Sequence, residues 1–242
     1  MKLAFFGNGR MGRAVVERAR DAGHDVGVVV TSRDAKASGD ELAAKLRGHD
    51  AAIDFSVASA VLTHVAACAR AGVPLVEGTT GWQGQEAEAR RLVEERGGAM
   101  VYGANFSLGV NLFYRLVDRA GELYRGLPAY EAYIEEAHHA KKRDAPSGTA
   151  LELRRLLAQR LGREVPVAST RAGHIPGVHR VGFDSAADEI LLIHTARSRD
   201  GFAAGALAAA RWLASPGSGK RGVHAFGDVL DDILEMERTG KP

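Results

Sequence analysis

The residues His138, His139, Lys141, Lys142 and Arg143 place five basic or potentially basic side chains within six positions, and Pro146, Ser147, Gly148 and Thr149 follow. Imidazole and ammonium groups become proton donors near neutral pH when neighbouring positive charge depresses their pKa values. Ser-Gly-Thr opening a helix adds backbone amides and the positive end of the helix dipole. Cations, amides and an acid in one place form a carboxylate receptor with a proton donor beside it. A solvated charge run is the plain alternative. Zinc is a third reading, because Glu135, Glu136, His138 and His139 are ligand types; but adjacent histidines on a strand point to opposite faces, and the lysines repel a cation. No metal is expected.

A second chemical motif stands at Gly7-Asn8-Gly9-Arg10-Met11-Gly12. In a strand-turn-helix context, Gly7 permits a tight turn, Gly9 lets a pyrophosphate approach the backbone, and Gly12 lets helix and strand pack closely. A turn that needs glycine for geometry and binds nothing is the other reading. Dinucleotide folds usually carry a carboxylate for the adenosine ribose after the second strand; here that place holds Thr31, Ser32 and Arg33. Hydroxyls beside a guanidinium suit a 2′-phosphate, so the residues lean towards NADPH, while Asp34 leaves NADH open. Gly78, Thr79 and Thr80 after a fourth strand, and Gly103, Ala104, Asn105 and Phe106 after a fifth, are expected to line the nicotinamide half.

The elements that must position these residues follow from hydrophobic periodicity. Strands are predicted at Lys2 to Phe6, Asp25 to Val30, Ala51 to Phe55, Val73 to Glu77 and Ala99 to Tyr102. Helices alternate with them at Arg13 to Ala22, Glu41 to Leu46, Ser59 to Ala71 and Glu86 to Arg96, with Gly7 to Gly12 as a turn. That alternation implies a Rossmann-like, doubly wound parallel sheet in an α/β protein. After Asn105 the order changes to a helix at Leu108 to Tyr124, a strand at Tyr130 to Ala137, a helix from Ser147 and strands at Val165 to Thr170, Val178 to Phe183 and Glu189 to Thr195. This reads as a smaller α+β domain with an open, mostly antiparallel sheet. Helices at Gly201 to Leu213 and Gly227 to Glu237, separated by the loop SPGSGKRG, return to the first domain. The division expected is residues 1–107 with 200–242 for the dinucleotide and 108–199 for substrate binding and oligomerisation.

The 242 residues carry a formal net charge of +2 with the signs interspersed, so no cationic face for nucleic acid is expected. No apolar run approaches the roughly 20 residues of a membrane span, and with the glycine turn so early no secretory leader is expected. A single cysteine, Cys68, sits in an apolar helical stretch and reads as a core thiol. Cytoplasmic residence is expected.

EAHHAKKRDAPSGTAL, with GNGRMGR, DFS, GTTG, GANFS and RSRDGFAAGAL in order across nearly the whole chain, resembles the dihydrodipicolinate reductase (4-hydroxy-tetrahydrodipicolinate reductase) family of the diaminopimelate route to lysine. The resemblance implies hydride delivery from a nicotinamide to C4 of a cyclic imine dicarboxylate. It also implies His138 as catalytic acid, Lys142 as second donor and His139 as a substrate contact. Gly148 with Thr149 would hold a substrate carboxylate, Arg199 would lie near the hinge, and the assembly would be a homotetramer. The chain departs from the family at Thr31, where an acidic residue is usual, at Lys141, and in a short segment between Arg33 and Asp54. An amino-acid dehydrogenase would share the glycine turn without needing the basic loop. A non-catalytic nicotinamide sensor would leave the proton-donor cluster idle.

Overall fold

The computed structural model describes residues 1–34, 36–215 and 220–239. The chain divides into two compact units, residues 1–107 with 200–242, and residues 108–199.

In the first unit, strands β1 (Lys2–Phe6), β2 (Asp25–Val30), β3 (Ala51–Asp54), β4 (Leu75–Glu77) and β5 (Ala99–Tyr102) alternate with helices α1 (Arg10–Asp21), α2 (Gly39–Leu46), α3 (Val61–Ala71) and α4 (Glu86–Glu94). Strands buried on both faces read as continuous apolar runs, and β1, β3 and β4 are almost wholly buried. All pairings are parallel, in the order β10-β5-β4-β3-β1-β2 with β10 at Gly222–Ala225, which is the Rossmann-like arrangement expected. The chain reverses direction across the sheet between β1 and β3, the place where doubly wound folds bind ligands. Between β2 and β3 the described residues contain a 3-10 turn and one helix, so β2 forms the sheet edge.

Most element ends shift by a few residues from the sequence-based expectation, and two differences alter the first unit. Helix α1 begins at Arg10 rather than Arg13, because Gly9 is extended (φ −74°, ψ −173°) and caps the helix itself. The segment between the last two helices contains a strand, β10 (Gly222–Ala225), which extends the sheet beside β5. Within the loop predicted there, residues 216–219 lie outside the described residues. Helix α7 (Asp200–Ala214) is apolar on most of its surface and lies buried against the sheet, and α8 (Leu230–Thr239) packs on it. Gly205 is required in α7, since a Cβ there would meet the Phe106 carbonyl oxygen at 1.7 Å.

The second unit has α5 (Leu108–Tyr124), β6 (Glu131–His138), α6 (Gly148–Leu161), β7 (Val167–Arg171), β8 (Val178–Asp184) and β9 (Glu189–Thr195). The sheet order is β7-β6-β8-β9, parallel between β6 and β7 and antiparallel elsewhere. Helices α5 and α6 cover one face through Phe113, Val117, Leu153 and Leu157, packed on Ile134, Val181 and Phe183. Leu191 and Ile193 on β9 are 40% and 53% exposed.

Candidate active site

The register of the second sheet builds a polar cluster at one end of β6. Glu136 and His138 are two residues apart, so they share a face, and both are buried. Glu136 Oε2 is hydrogen-bonded to His138 Nδ1. Its other oxygen, Oε1, accepts from Arg171 Nη2 at 2.6 Å and from the Ser147 backbone N–H at 3.3 Å. Arg171 stands opposite His138 in the β6–β7 register, and His179 of β8 stands opposite Glu136. The His138 and His179 rings meet edge to face with centroids 5.1 Å apart. His179 Nε2 lies 3.2 Å from Ser147 Oγ, the side chain that caps α6 by accepting from Ala150 N–H at 3.2 Å. One hydrogen bond, Ser147 N–H to Glu136, thus ties the start of α6 to the carboxylate that holds His138.

Burial and charge oppose one another here. Burial raises the Glu136 carboxyl, but hydrogen bonds from Arg171, Ser169 and His138 outweigh it and bring its pKa to about 2. Burial lowers His138, and the Glu136 carboxylate resists that shift. His179 falls to about 4, chiefly through burial and then through the neighbouring His138. The depression of His138 therefore comes first from desolvation, with Lys142 and Arg171 as lesser contributors, rather than from the cationic run as the sequence implied. The cations of the run differ in their surroundings. Lys141 and Arg143 are exposed, and Lys142 pairs with Asp144 at 2.9 Å, because the chain turns immediately after β6 and scatters successive side chains.

Ligand atoms of Glu136, His138 and His179 lie within 4.8 Å of one another. The set is committed to itself: both Glu136 oxygens are taken, one of them by a guanidinium, which repels a cation as well as occupying its ligand.

The first unit presents a different kind of site. Gly7 has φ +94°, and a Cβ on it would meet the Phe55 carbonyl oxygen at 2.4 Å; a Cβ on Gly12 would meet the Gly7 carbonyl oxygen at 2.3 Å. Both glycines are required by the turn and by helix–strand contact. A Cβ on Gly9 would meet nothing within 4 Å. The chain's own packing leaves Gly9 open, at the amide end of α1, which is the cradle a pyrophosphate fills. Gly9→Ala is accordingly expected to fold, with a loss of about 0.5–1 kcal/mol for alanine at the helix cap. Dinucleotide binding should weaken by about 1–3 kcal/mol through the intruding methyl, roughly tenfold to a hundredfold in Kd. Thermal melting and cofactor titration check the two halves separately.

At the ends of β3 and β4, buried Asp54 accepts from His64 Nδ1 at 2.6 Å, Ser56 N–H at 2.8 Å and Thr79 Oγ1 at 3.3 Å, while Glu77 Oε1 accepts from Thr79 N–H at 2.7 Å. Gly78 and Thr79 are buried by these contacts and by Phe55, which leaves Thr80 as the exposed tip of the GTTG loop. Phe106 is 1% exposed, packed against Phe55 and Phe226, so it anchors its loop instead of offering a ring face; Gly103, Ala104 and Asn105 are the accessible part. Asp34 has one oxygen on Lys45 Nζ at 2.6 Å and the other on Thr31 N–H at 3.0 Å. Arg33 is exposed and makes no ion pair among the described residues.

Burial, and then the Asp54 charge, push the Glu77 carboxyl well above the usual carboxylate range. A carboxyl raised in the folded state stabilises the fold below its ordinary pKa and loses that contribution as pH rises. Glu77→Gln, neutral at every pH, should therefore match the parent in melting temperature below the ordinary carboxylate pKa and exceed it increasingly as pH rises above that range. A parent that keeps pace with the variant as pH rises would contradict the assignment.

Residues 1–106 match the family model described as dihydrodipicolinate reductase, N-terminus, and residues 109–230 match that for the dihydrodipicolinate reductase C-terminus. The chain belongs to the dihydrodipicolinate reductase family. A curated relative from Christiangramia forsetii, named 4-hydroxy-tetrahydrodipicolinate reductase, is 35% identical across 97% of this chain and 100% of its own. One of the same name from Xanthomonas campestris pv. campestris is 42% identical across 87% of this chain and 91% of its own. A solved structure, a dipicolinate-bound dihydrodipicolinate reductase from Paenisporosarcina sp. TG-14, superposes with a TM-score of 0.75 at 19% identity, covering 96% of this chain and 98% of that one, and shows the shared fold.

In this member of the dihydrodipicolinate reductase family, His138 and Ser147 to Thr149 are legible in the sequence, whereas Arg171, His179 and the contacts of Glu136 emerge with the fold. The Glu-x-His spacing was a usable signal for Glu136. Arg171 and His179 arrive through strand register 33 and 41 residues beyond His138, and no local pattern announces that.

Proposed function

We propose that this chain is a nicotinamide-dependent oxidoreductase that reduces 4-hydroxy-tetrahydrodipicolinate to tetrahydrodipicolinate in the diaminopimelate route to lysine. The observation that carries the reading to named residues is the bond from Ser147 N–H to Glu136, which couples a buried histidine acid to a helix start suited to a carboxylate. The bound nicotinamide supplies the hydride. Gly7 to Gly12 hold its pyrophosphate, and the Thr80 tip with Gly103 to Asn105 meets the nicotinamide half. Gly148 and Thr149, the first two helical residues of α6, take a substrate carboxylate together with His139; His138 gives up a proton from Nε2, and Lys142 balances the developing charge.

NADPH is the preferred cofactor in this reading. Both oxygens of Asp34 are occupied, whereas Thr31, Ser32 and exposed Arg33 suit a 2′-phosphate. The open face of the β7-β6-β8-β9 sheet, with Leu191 and Ile193 exposed, supports a homotetramer assembled there. No helix of the described residues is long and apolar enough to cross a membrane, and with the lone buried thiol this agrees with residence in the cytoplasm. The test is nicotinamide oxidation followed by absorbance with freshly generated substrate. NADPH is expected to give the higher kcat/KM and NADH the lower; the reverse order would refute the cofactor preference, and no oxidation by a folded, cofactor-binding chain would refute the reaction.

A further inference from the structure

We propose that Glu136, clamped by Arg171, is a positioning residue that holds the His138 ring with its proton on Nδ1 and so makes Nε2 the nitrogen that exchanges a proton with substrate. This rests on the reading of His138 as the acid, and adds to it a definite tautomer and the group that enforces it.

Three observations carry the assignment. First, both Glu136 oxygens are fixed: Oε2 on His138 Nδ1, Oε1 on Arg171 and on the Ser147 amide. Arg171 and the Ser147 amide hold the Glu136 carboxyl as the ionised acceptor, well below the usual carboxylate range, which makes the histidine the donor in that bond. Second, the strand supplies the alignment, since the two residues share the inner face of β6 and the His138 carbonyl is itself held by Ala172 N–H at 3.0 Å. Third, the other ring edge faces a glycine. Gly177 lies beside it with φ +142°, and a Cβ there would come within 3.1 Å of Nε2.

The charges around the ring come from every neighbouring element. Glu136 lies on β6 itself, Lys142 with its partner Asp144 in the turn after it, Arg171 on β7 and His179 on β8, with His194 of β9 beyond His179. Among these contributions, Glu136 is the one that favours the protonated imidazole through both hydrogen bond and charge, while Lys142 and Arg171 oppose it. Its removal therefore lowers the His138 pKa. In Glu136→Gln the amide also donates to Nδ1, which moves the neutral ring's proton to Nε2 and leaves the wrong nitrogen to be recharged.

The experiment is nitrogen-15 NMR of the histidine side chains, assigned through His138→Gln, across a pH titration of the parent, Glu136→Gln and Glu136→Asp, with steady-state kinetics on the same samples. The parent is expected to carry the Nδ1–H tautomer. Glu136→Gln should show the Nε2–H tautomer, a lower His138 pKa and a kcat reduced roughly a hundredfold, with unchanged cofactor Kd; Glu136→Asp should restore the parent tautomer and part of the rate. An Nε2–H tautomer in the parent overturns the proposal without any variant. So does a folded Glu136→Gln with the parent's tautomer and a kcat within about threefold of it, the outcome for a purely structural bond. A parent that binds cofactor but does not turn over defeats the reductase reading instead, while its His138 spectrum still decides the tautomer.

Discussion

His138→Gln is expected to lower kcat by roughly 10²- to 10⁴-fold, the range contributed by a general acid, while the Kd for NADPH stays within about twofold. The two effects separate because His138 lies in residues 108–199 and the glycine turn in residues 1–107. Glutamine fills similar space and keeps a hydrogen bond to Glu136, but it has no proton to release near neutrality. Because burial sets the His138 pKa below the ordinary histidine value, kcat/KM of the parent should fall as pH rises through that depressed pKa, and the step should vanish in the variant. Stopped-flow measurement of the chemical step alongside cofactor titration tests both. A variant whose turnover drops only through KM would show His138 to be a binding group.

Gly148→Ala should behave in the opposite way, raising KM for the dicarboxylate by about 1–3 kcal/mol of lost fit, roughly tenfold to a hundredfold, with a smaller change in kcat. A Cβ at Gly148 meets nothing within 4 Å of the chain itself, and the residue has ordinary backbone angles at the first helical position. Alanine there is neutral for folding or stabilising by up to about 1 kcal/mol, since it removes backbone freedom from the unfolded chain. Only a ligand seated against the α6 N-terminus would feel the methyl. Unchanged KM in a fully folded Gly148→Ala would remove the helix start from the substrate site and leave the dicarboxylate to the exposed basic side chains. Melting temperature and KM, measured on one preparation, give the comparison.

The parts of the molecule legible in the sequence are those built by local rules. The strand at Lys2 to Phe6, the glycine turn and the alternation of buried strands with amphipathic helices are written in runs of fewer than about 15 residues, and the parallel sheet follows from them. The open sheet of residues 108–199 was readable from three successive strands without helices between them. What escaped detection depends on long-range contact or on a residue used against its usual habit. Gly9 caps a helix from an extended conformation, so α1 starts three residues earlier than its periodicity implies. The four-residue strand β10 is too short to show a period of its own and forms because β5 offers an unpaired edge. Phe106, an aromatic residue in a candidate ligand loop, is drawn into the core by Phe55 and Phe226. Asp34, in reach of the ribose position by sequence count, is captured by Lys45 from the next helix.

The basic cluster illustrates the same division at the site. Its composition pointed to an acid beside a carboxylate receptor, and the start of α6 does lie beside His138 through Glu136. Yet the cations are the lesser influence on His138, because desolvation by the packed sheet acts on it more strongly than charges at a turn open to solvent. Sequence spacing conveys which groups are near; burial, which decides their strength, is a property of the fold.

The most direct measurement is transfer of the label. NADPH deuterated at nicotinamide C4 in the transferable position, incubated with the chain and freshly generated substrate, is predicted to yield tetrahydrodipicolinate one mass unit heavier, with the deuterium at ring C4 and one equivalent of NADP⁺ formed. Oxidation of the cofactor without deuterium in the product, or no oxidation by chain that binds NADPH, would contradict the assignment of this fold and this site to reduction of the cyclic imine.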